Sequence, residues 1–460
     1  MTHRILGTKN ETARIIIFKE SDWSIESNTV VSGSGAYEVD SLASGTKTVV
    51  AESNYGELLG YGNIGAILSP NCGITDNMIE EYEWNPNTST HAPVVIYIAG
   101  TVYAIVYKND VSNGILQIKT INIAADGNIG SIIDSDTISS DSFNTDAGVM
   151  KVSQAGGTGG DCILAIWNRR YDQVGDRHDL IIRTWRISQA GTINGEVDNL
   201  EMGTGGTYGV YAPCSLTRRS ENAVAYAATA FNGGFNPYIY TFSIQTNGSI
   251  SDAVLDSEVI DSTYNDGYYS QIIEVGYKLI VNYRLNGSNK NVFKSYNITD
   301  PQGVISYLHS KDMEKADAPV CMLDMTHMGF DGFVCSYTVG GRNKLVSYAV
   351  GGTGAFTGPV DTVYMDSGAG NGVHISSLGG NGIIGHWRSN TNYGYISTVT
   401  MDINGSFSEI INTKYTGRLL ANWSFPFQVQ GDNDGIYGIA FGGNDGDGYL
   451  QTYPVTNVCI

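Results

Sequence analysis

The chain is short of charge. Lys, Arg, Asp and Glu make up only 16% of its 460 residues, and runs of Lys, Glu and Ala, the stock of surface helices, are missing. Lys and Arg number 26 against 46 Asp and Glu, a formal net charge of −20. The clustered cations that hold a nucleic-acid backbone are therefore not there. No apolar run approaches the roughly 20 residues a membrane helix needs, which speaks against membrane insertion. The opening MTHRILGTKNETARIII has no apolar core followed by a small-residue cleavage site, so no secretory signal is expected. Six cysteines, at 72, 162, 214, 321, 335 and 459, lie scattered without CxxC spacing, which excludes a zinc framework. Cys162, Cys214 and Cys335 sit in apolar runs and read as small buried hydrophobes of a protein made in a reducing compartment.

What is abundant is Gly, at 57 residues, and Tyr, at 29, beside Thr, Val and Ile. That balance predicts an all-β protein with many tight turns. One strand-like phrase recurs: an apolar stretch, a Ser or Thr, a bulky residue, one variable residue, then Ile or Val. It is read in LQIKTINI, LIIRTWRI, PYIYTFSI, NVFKSYNI, NKLVSYAV, ISTVTMDI and YLQTYPV. The hydroxyl column is Thr120, Thr184, Thr241, Ser295, Ser347, Thr400 and Thr452, a period of roughly 52 to 64 residues. Upstream of each lies a second apolar strand such as VYAIVY or CILAIW. Downstream comes a turn glycine and a half-alternating strand such as GNIGSIIDSDTI or GSISDAVLDSEVI. A further strand opens each unit, with proline near its start at Pro93, Pro213, Pro319 and Pro426. Four strands per unit in radial repetition predict a seven-bladed β-propeller over residues 67–460.

The last unit stops after its third strand. Its missing fourth is expected far upstream, where CGITDNMIEEYEW (Cys72–Trp84) repeats the downstream phrase: Ile74 meets Ile250, Asp76 meets Asp252, and Met78-Ile79 meets Val254-Leu255. A strand from before the first unit would then close the ring and cover an edge that would otherwise template aggregation. The same closure predicts that Cys72 and Cys459 are neighbours. No Trp-Asp motif, strict kelch pattern or Ser-x-Asp-x-Gly-x-Thr-Trp box is present, so the propeller likeness, over about 390 residues, carries no active site with it.

Residues 1–66 read differently. Gly35, Tyr37, Val39, Leu42, Gly45 and Val49-Val50-Ala51 resemble the carboxypeptidase-regulatory, or transthyretin-like, β-sandwich, with Lys47 where an aromatic is commoner. The tail ESNYGELLGYGNIGAI is similar to a variant met in bacteriophage structural proteins, where such modules anchor or space larger domains. That resemblance implies a tail- or capsid-associated virion protein, assembled in the host cytoplasm. Its N-terminal module would contact other virion proteins in an oligomeric assembly.

For ligand chemistry the segment NRRYDQVGDRHD reads as a long rim loop, with Arg169, Arg170, Tyr171, Asp172, Arg177 and His178 concentrated in an arginine-poor chain. Guanidinium forks beside a tyrosine suit a carboxylated or polyhydroxylated sugar. Neighbouring rim segments supply Phe235 with Asn236, and Arg388 with Tyr393. Aromatics beside amides and cations form glycan surfaces, because sugar C–H faces stack on rings. Asn444, Asp445 and Asp447 lack the full calcium-loop run and read as a turn, and His178, His309, His374 and His386 show no metal-ligand spacing. No cofactor and no catalytic residue is predicted. The expected function is a displayed propeller contacting a host glycan or a neighbouring subunit. The competing classes are a propeller glycosidase or lyase acting on polysaccharide and a bacterial surface lectin.

Overall fold

The computed structural model describes the backbone of residues 3–9, 13–19, 25–31, 35–42, 47–53, 58–64, 73–74, 78–86, 90–109, 114–139, 147–154, 160–172, 177–203, 215–218, 225–232, 236–261, 268–285, 290–299, 302–315, 320–326, 329–366, 370–378, 381–429, 435–443 and 445–456. Side chains are described for these except 3–74, 153–154, 169–180, 202–237, 268–270, 284–285, 315, 370–371, 421–423 and 455–456. Cys72 and Cys459 lie outside the described residues, as do Cys214, Pro213 and Pro319.

All described regular structure is β. Near the N-terminus, His3–Lys9 pairs with Gly35–Leu42, and a four-stranded sheet runs in the order Ile25–Val31, Ala13–Lys19, Lys47–Ser53, Leu58–Ile64. Five four-stranded antiparallel meanders follow, each in chain order, giving the molecule propeller-like blades. They are called sheet A (90–139), sheet B (148–203), sheet C (215–259), sheet D (268–315) and sheet E (321–364). An eight-stranded sheet F completes the set. Its 17-residue strand Asn412–Gln428 pairs first with Tyr393–Thr400 and then with Ile436–Gly443, so one strand joins two four-stranded halves. The last strand, Gly448–Thr456, pairs with Glu80–Asn85 and with Gly73–Ile74 from far upstream.

Burial explains the sequence texture. Second strands such as Gly332–Val339 and Gly382–Ser389 are buried on both faces, hence their unbroken apolar runs. The fourth strand Phe356–Tyr364 alternates between half-buried and exposed, as an outer strand must. First strands touch first strands from A through E to Gly370–Ser377, then Asn412–Gln428, which in turn touches Thr90–Ala99 of sheet A. The hydrophobic clusters lie between consecutive sheets, and one of them packs Trp84, Phe427 and Leu450 of sheet F against Tyr103 and Ile105 of sheet A.

A repeated latch fastens each sheet to the next. The Thr120 hydroxyl donates to Gly191 O (2.6 Å), Thr184 to Gly248 O (2.5 Å) and Thr241 to Gly303 O (2.7 Å). Ser295 donates to Gly354 O (2.7 Å) and Ser347 to Gly405 O (2.5 Å). Thr452 of sheet F donates to Gly127 O of sheet A (2.7 Å). All six hydroxyl residues are fully buried. A carboxylate directly across the ladder from the hydroxyl adds a second limb by accepting an N–H two residues beyond the same glycine. Asp134 takes Ile193 N, Asp198 takes Ile250 N, Asp256 takes Ile305 N, Asp361 takes Phe407 N and Glu80 takes Ile129 N, all within 2.5–2.9 Å. His309 faces Ser295 and Asn412 faces Thr398 in place of the acid.

Glycine is obligatory at these turns for two reasons. Gly191, Gly248 and Gly354 have φ of 92°, 97° and 86°, and a Cβ at Gly191 or Gly354 would lie 2.6 or 2.7 Å from side chains of the preceding sheet. Sheet F corrects the predicted hydroxyl column. Thr398, not Thr400, lies seven residues before the turn glycine Gly405, as Thr120, Thr184 and Thr241 do before theirs. The Thr398 hydroxyl is buried and has no partner among the described residues. Segment NRRYDQVGDRHD is also not an open loop: strands Cys162–Asp172 and Arg177–Ile187 stay paired out to Asp172 opposite Arg177, making a long hairpin.

Two outcomes are expected. Thr184→Val strands the Gly248 carbonyl in the interior and should cost about 1–3 kcal/mol in urea unfolding, whereas Thr398→Val, which removes a hydroxyl with no partner among the described residues, should be neutral or stabilising. Equal losses from both would refute the latch. Removing residues 1–85 bares the edge of strand Gly448–Thr456 and should yield insoluble protein, while removing 1–65 should not. Equal solubility of the two truncations would show that the pairing at this edge is dispensable.

Candidate functional site

The turns between second and third strands share one end of the sheets. On that rim, sheet F carries a row of aromatic rings. Trp387 stacks on Tyr395 (centroids 4.6 Å apart, 16° between planes), and Tyr395 meets Tyr415 at 5.7 Å. Tyr415 in turn takes the edge of Tyr393 at 5.4 Å. The row follows the ladder, because Trp387 lies opposite Tyr395 and Tyr395 opposite Tyr415. It starts in the core and runs outward: Trp387 is buried, with its indole N–H held by Ser397 Oγ (2.9 Å), while Tyr393 and Tyr415 are 41% and 45% exposed.

The turn that presents Tyr393 is built by short-range bonds. Ser389 O accepts Asn392 N (3.0 Å), Ser389 Oγ accepts Tyr393 N (3.1 Å), and Asn392 adopts φ 67°, a conformation its short amide side chain tolerates. On the same rim in sheet E, Arg342 lies 3.9 Å over the ring of Tyr364, itself 43% exposed. A guanidinium flat on an exposed ring gives one planar face with N–H donors at its edge.

The residues predicted for the site fare differently. Tyr393 belongs to the exposed row. Arg388 is opposite Gly394 on the other face of the ladder, and burial pushes its guanidinium pKa down, so the two are not brought together. Arg169, Arg170, Tyr171 and Asp172 end one arm of the sheet B hairpin and Arg177 and His178 begin the other, with side chains outside the described residues. Asn236 opens a strand of sheet C, and Phe235 lies outside the described residues. Tyr395, Tyr415, Arg342 and Tyr364 escaped the sequence reading. Asp445 caps its own turn, accepting Tyr449 Oη–H (2.7 Å) and Asp447 N (3.2 Å).

The interior also holds titratable groups. His386 is fully buried beside Phe441 and opposite His374, and neither of its ring nitrogens has a partner among the described residues. His374 Nδ1 is 3.6 Å from Cys321 Sγ. Among the described residues no group of three or more His, Cys, Asp or Glu could hold a metal ion.

The comparisons concern the fold. No protein-family model matches the chain, and no curated protein matches its sequence. A lectin from Burkholderia pseudomallei, BP39L, is 11% identical and superposes with a TM-score of 0.53, covering 80% of this chain and 96% of that one. A fungal lectin from Aleuria aurantia, described as a six-bladed β-propeller with a novel fucose recognition mode, is 11% identical at TM-score 0.39, covering 74% and 99%. The periplasmic gluconolactonase of Pseudomonas aeruginosa is 11% identical at TM-score 0.45, covering 77% and 96%. The chain is an all-β protein with propeller-like blades.

Burial lowers the His386 pKa from 6.5 to about 3, with the charge of His374 adding to the effect. Between those values the unfolded chain binds a proton that the folded one refuses. Stability should therefore be independent of this group above pH 6.5 and fall as pH drops toward 3, by up to about 1.4 kcal/mol per unit. His386→Phe should flatten that acid limb in urea titrations at pH 7 and 4.5. An unchanged slope would mean that another group governs it.

Proposed function

We propose that the chain is a carbohydrate-binding, seven-bladed β-propeller carried on an N-terminal transthyretin-like module. Sheets A to E count as five blades and the halves of sheet F as two more, the last completed by Glu80–Asn85. The observation that carries the binding assignment is the exposed tyrosine row on the rim. A sugar's C–H face stacks on rings such as Tyr393 and Tyr415, and phenol hydroxyls and a stacked guanidinium at the ring edges serve its hydroxyls. The likeness to a lectin's fold agrees with this reading without locating a site. Arg169, Arg170, Tyr171, Asp172, Arg177, His178, Phe235 and Asn236 extend the proposed surface around the rim, while Arg388 lies on the other face of its ladder and is left out of it.

For the N-terminal module, support comes from the resemblance of Gly35, Tyr37, Leu42 and Val49-Val50-Ala51, and from a strand pairing confined to residues 3–64. Its likeness to phage modules favours an anchor in a virion, assembled in the host cytoplasm alongside other virion proteins. Mass spectrometry of purified particles tests that placement.

For binding, Tyr393→Ala with Tyr415→Ala should abolish capture on a glycan array and leave the melting temperature within a degree or two, since exposed rim substitutions move stability by only about 0.5 kcal/mol. Arg169→Ala with Arg170→Ala should weaken the same signal. Full retention of capture by the tyrosine pair would remove the rim from the binding surface.

A further inference from the structure

Two junctions between sheets repeat one polar arrangement, and a third repeats it with a member missing. Where sheet C meets D, Tyr283 donates its hydroxyl to Asp261 Oδ2 (2.8 Å) and Lys294 Nζ lies 5.5 Å over the Tyr283 ring. The charge of Asp261 acts on that lysine. Where D meets E, Tyr337 donates to Glu314 Oε1 (2.6 Å), Lys344 pairs with the same carboxylate, and its Nζ is 5.0 Å over the Tyr337 ring. Asp261 and Glu314 occupy one position, five residues beyond Asp256 and His309, the residues that face the latch hydroxyls.

Where sheet F meets A, the corresponding residue five beyond Glu80 is Asn85. Tyr107 and Lys119 stand where Tyr283 and Lys294 stand. Tyr107 Oη–H is shared between Gln117 Oε1 (2.7 Å) and Asn85 Oδ1 (3.3 Å). Lys119 Nζ donates to Asn85 Oδ1 (2.9 Å) and Trp84 O (3.1 Å), 5.6–5.7 Å from the Tyr107 and Trp84 rings. Both acceptors are neutral, and no carboxylate of the described residues lies within ion-pair reach of Lys119. Beside this cation opens a cavity of about 370 Å³, lined by Tyr107, Gln117, Lys119 and Asn85, with Ser135 and Asp136 on the outer strand. Gln117 Nε2 has no partner among the described residues, because only its carbonyl is used.

We propose that this seam cavity binds a small polyhydroxylated carboxylate, an acidic monosaccharide, whose carboxylate takes the place that Asp261 and Glu314 fill at the sister junctions. The third proton of Lys119 and the amide of Gln117 then bond the carboxylate, and Ser135 meets ring hydroxyls. The volume suits one sugar ring. A half-buried ammonium without a counter-ion gains most from an ionised ligand, and Asp136 at the mouth favours a single negative charge over two. The site lies between the upstream strand and sheet A and is independent of the tyrosine row.

The test titrates the full chain with D-glucuronate and with glucose by calorimetry. Glucuronate should bind and glucose should bind far more weakly. Lys119→Met should weaken glucuronate by about tenfold or more, as loss of a charge-assisted contact does. Asn85→Asp, which builds in the sister junctions' acid, should do the same, and Tyr393→Ala should leave glucuronate binding unchanged while affecting the glycan array. If Asn85→Asp fails to fold, Lys119→Met decides. No binding of glucuronate, or undiminished binding by the Lys119→Met chain, overturns the proposal.

Discussion

A hydroxyl on one sheet reaching the carbonyl of a glycine on the next is the contact on which the architecture depends. A four-stranded meander has two faces and too little area to bury both by itself, so each sheet must pack on neighbours. Apolar clusters between sheets supply most of that stabilisation but are tolerant of sliding. The latch is not tolerant. It needs a residue with positive φ whose Cα can approach the neighbour without a Cβ, and it needs a hydroxyl beneath it. A carboxylate directly across the ladder then catches the N–H two residues past the glycine, so five of the six latched turns are held at two points. Each bond contributes only about 1 kcal/mol net, yet a missing partner costs more, because the carbonyl is buried with it. Repeated around the circuit, the pair sets the distance and angle between sheets.

Closure obeys the same constraint with residues from both ends of the circuit. Thr452 supplies the hydroxyl from the last strand, and Glu80, from the upstream strand, supplies the acid. The seam is further tied by Glu81, which receives Arg418 and Gln451, the latter also donating to Thr416 O (2.9 Å). Burial would raise the Glu81 carboxyl, but Arg418 and Gln451 outweigh it and hold its pKa low. Side-chain bonds to two strands of sheet F thus reinforce the pairing of the upstream strand, while the Thr398 hydroxyl one step back has no partner among the described residues. A circuit closed by non-covalent pairing needs such reinforcement, since no turn connects its outermost strands there.

Much of this was legible in the sequence because backbone geometry dictates residue type at the latch. Hydroxyl and glycine recur at fixed spacing, and the upstream phrase matches its counterparts because it meets the same demands. The acid column of Asp134, Asp198, Asp256 and Asp361 was equally present but looked like ordinary surface charge; its meaning depends on a partner some 46 to 59 residues away. Thr398 is hard to tell from Thr400 in the sequence because ISTVT offers three hydroxyls, and only the spacing to the turn glycine Gly405 distinguishes them. The charged run in sheet B suggested a loop because its apolar pattern ends, whereas strand pairing needs only backbone groups and continues past the core. The tyrosine row was not legible. Its members come from three strands, and sequence spacing says nothing of which rings stand side by side across a ladder.

The repeat separates what must stay constant from what can vary. Latch positions face the neighbouring sheet in the interior, where a wrong residue strands a polar group. Five residues further along the outer strand the constraint relaxes: Asp261, Glu314, Asp366 and Asn85 all occur there, beside Ser139, Gly203 and Gly417. Two of the three acids meet a tyrosine and a lysine from the next sheet, and those junctions satisfy themselves. Asn85 keeps the tyrosine and the lysine but withholds the charge. A structural substitution made only to hold the sheets together would have retained the acid, because an ammonium paired with neutral oxygens in a half-buried site is less well compensated than one with a carboxylate. The departure falls beside a cavity at the junction of the upstream strand and sheet A, where an ionised ligand can complete what the chain leaves unmade.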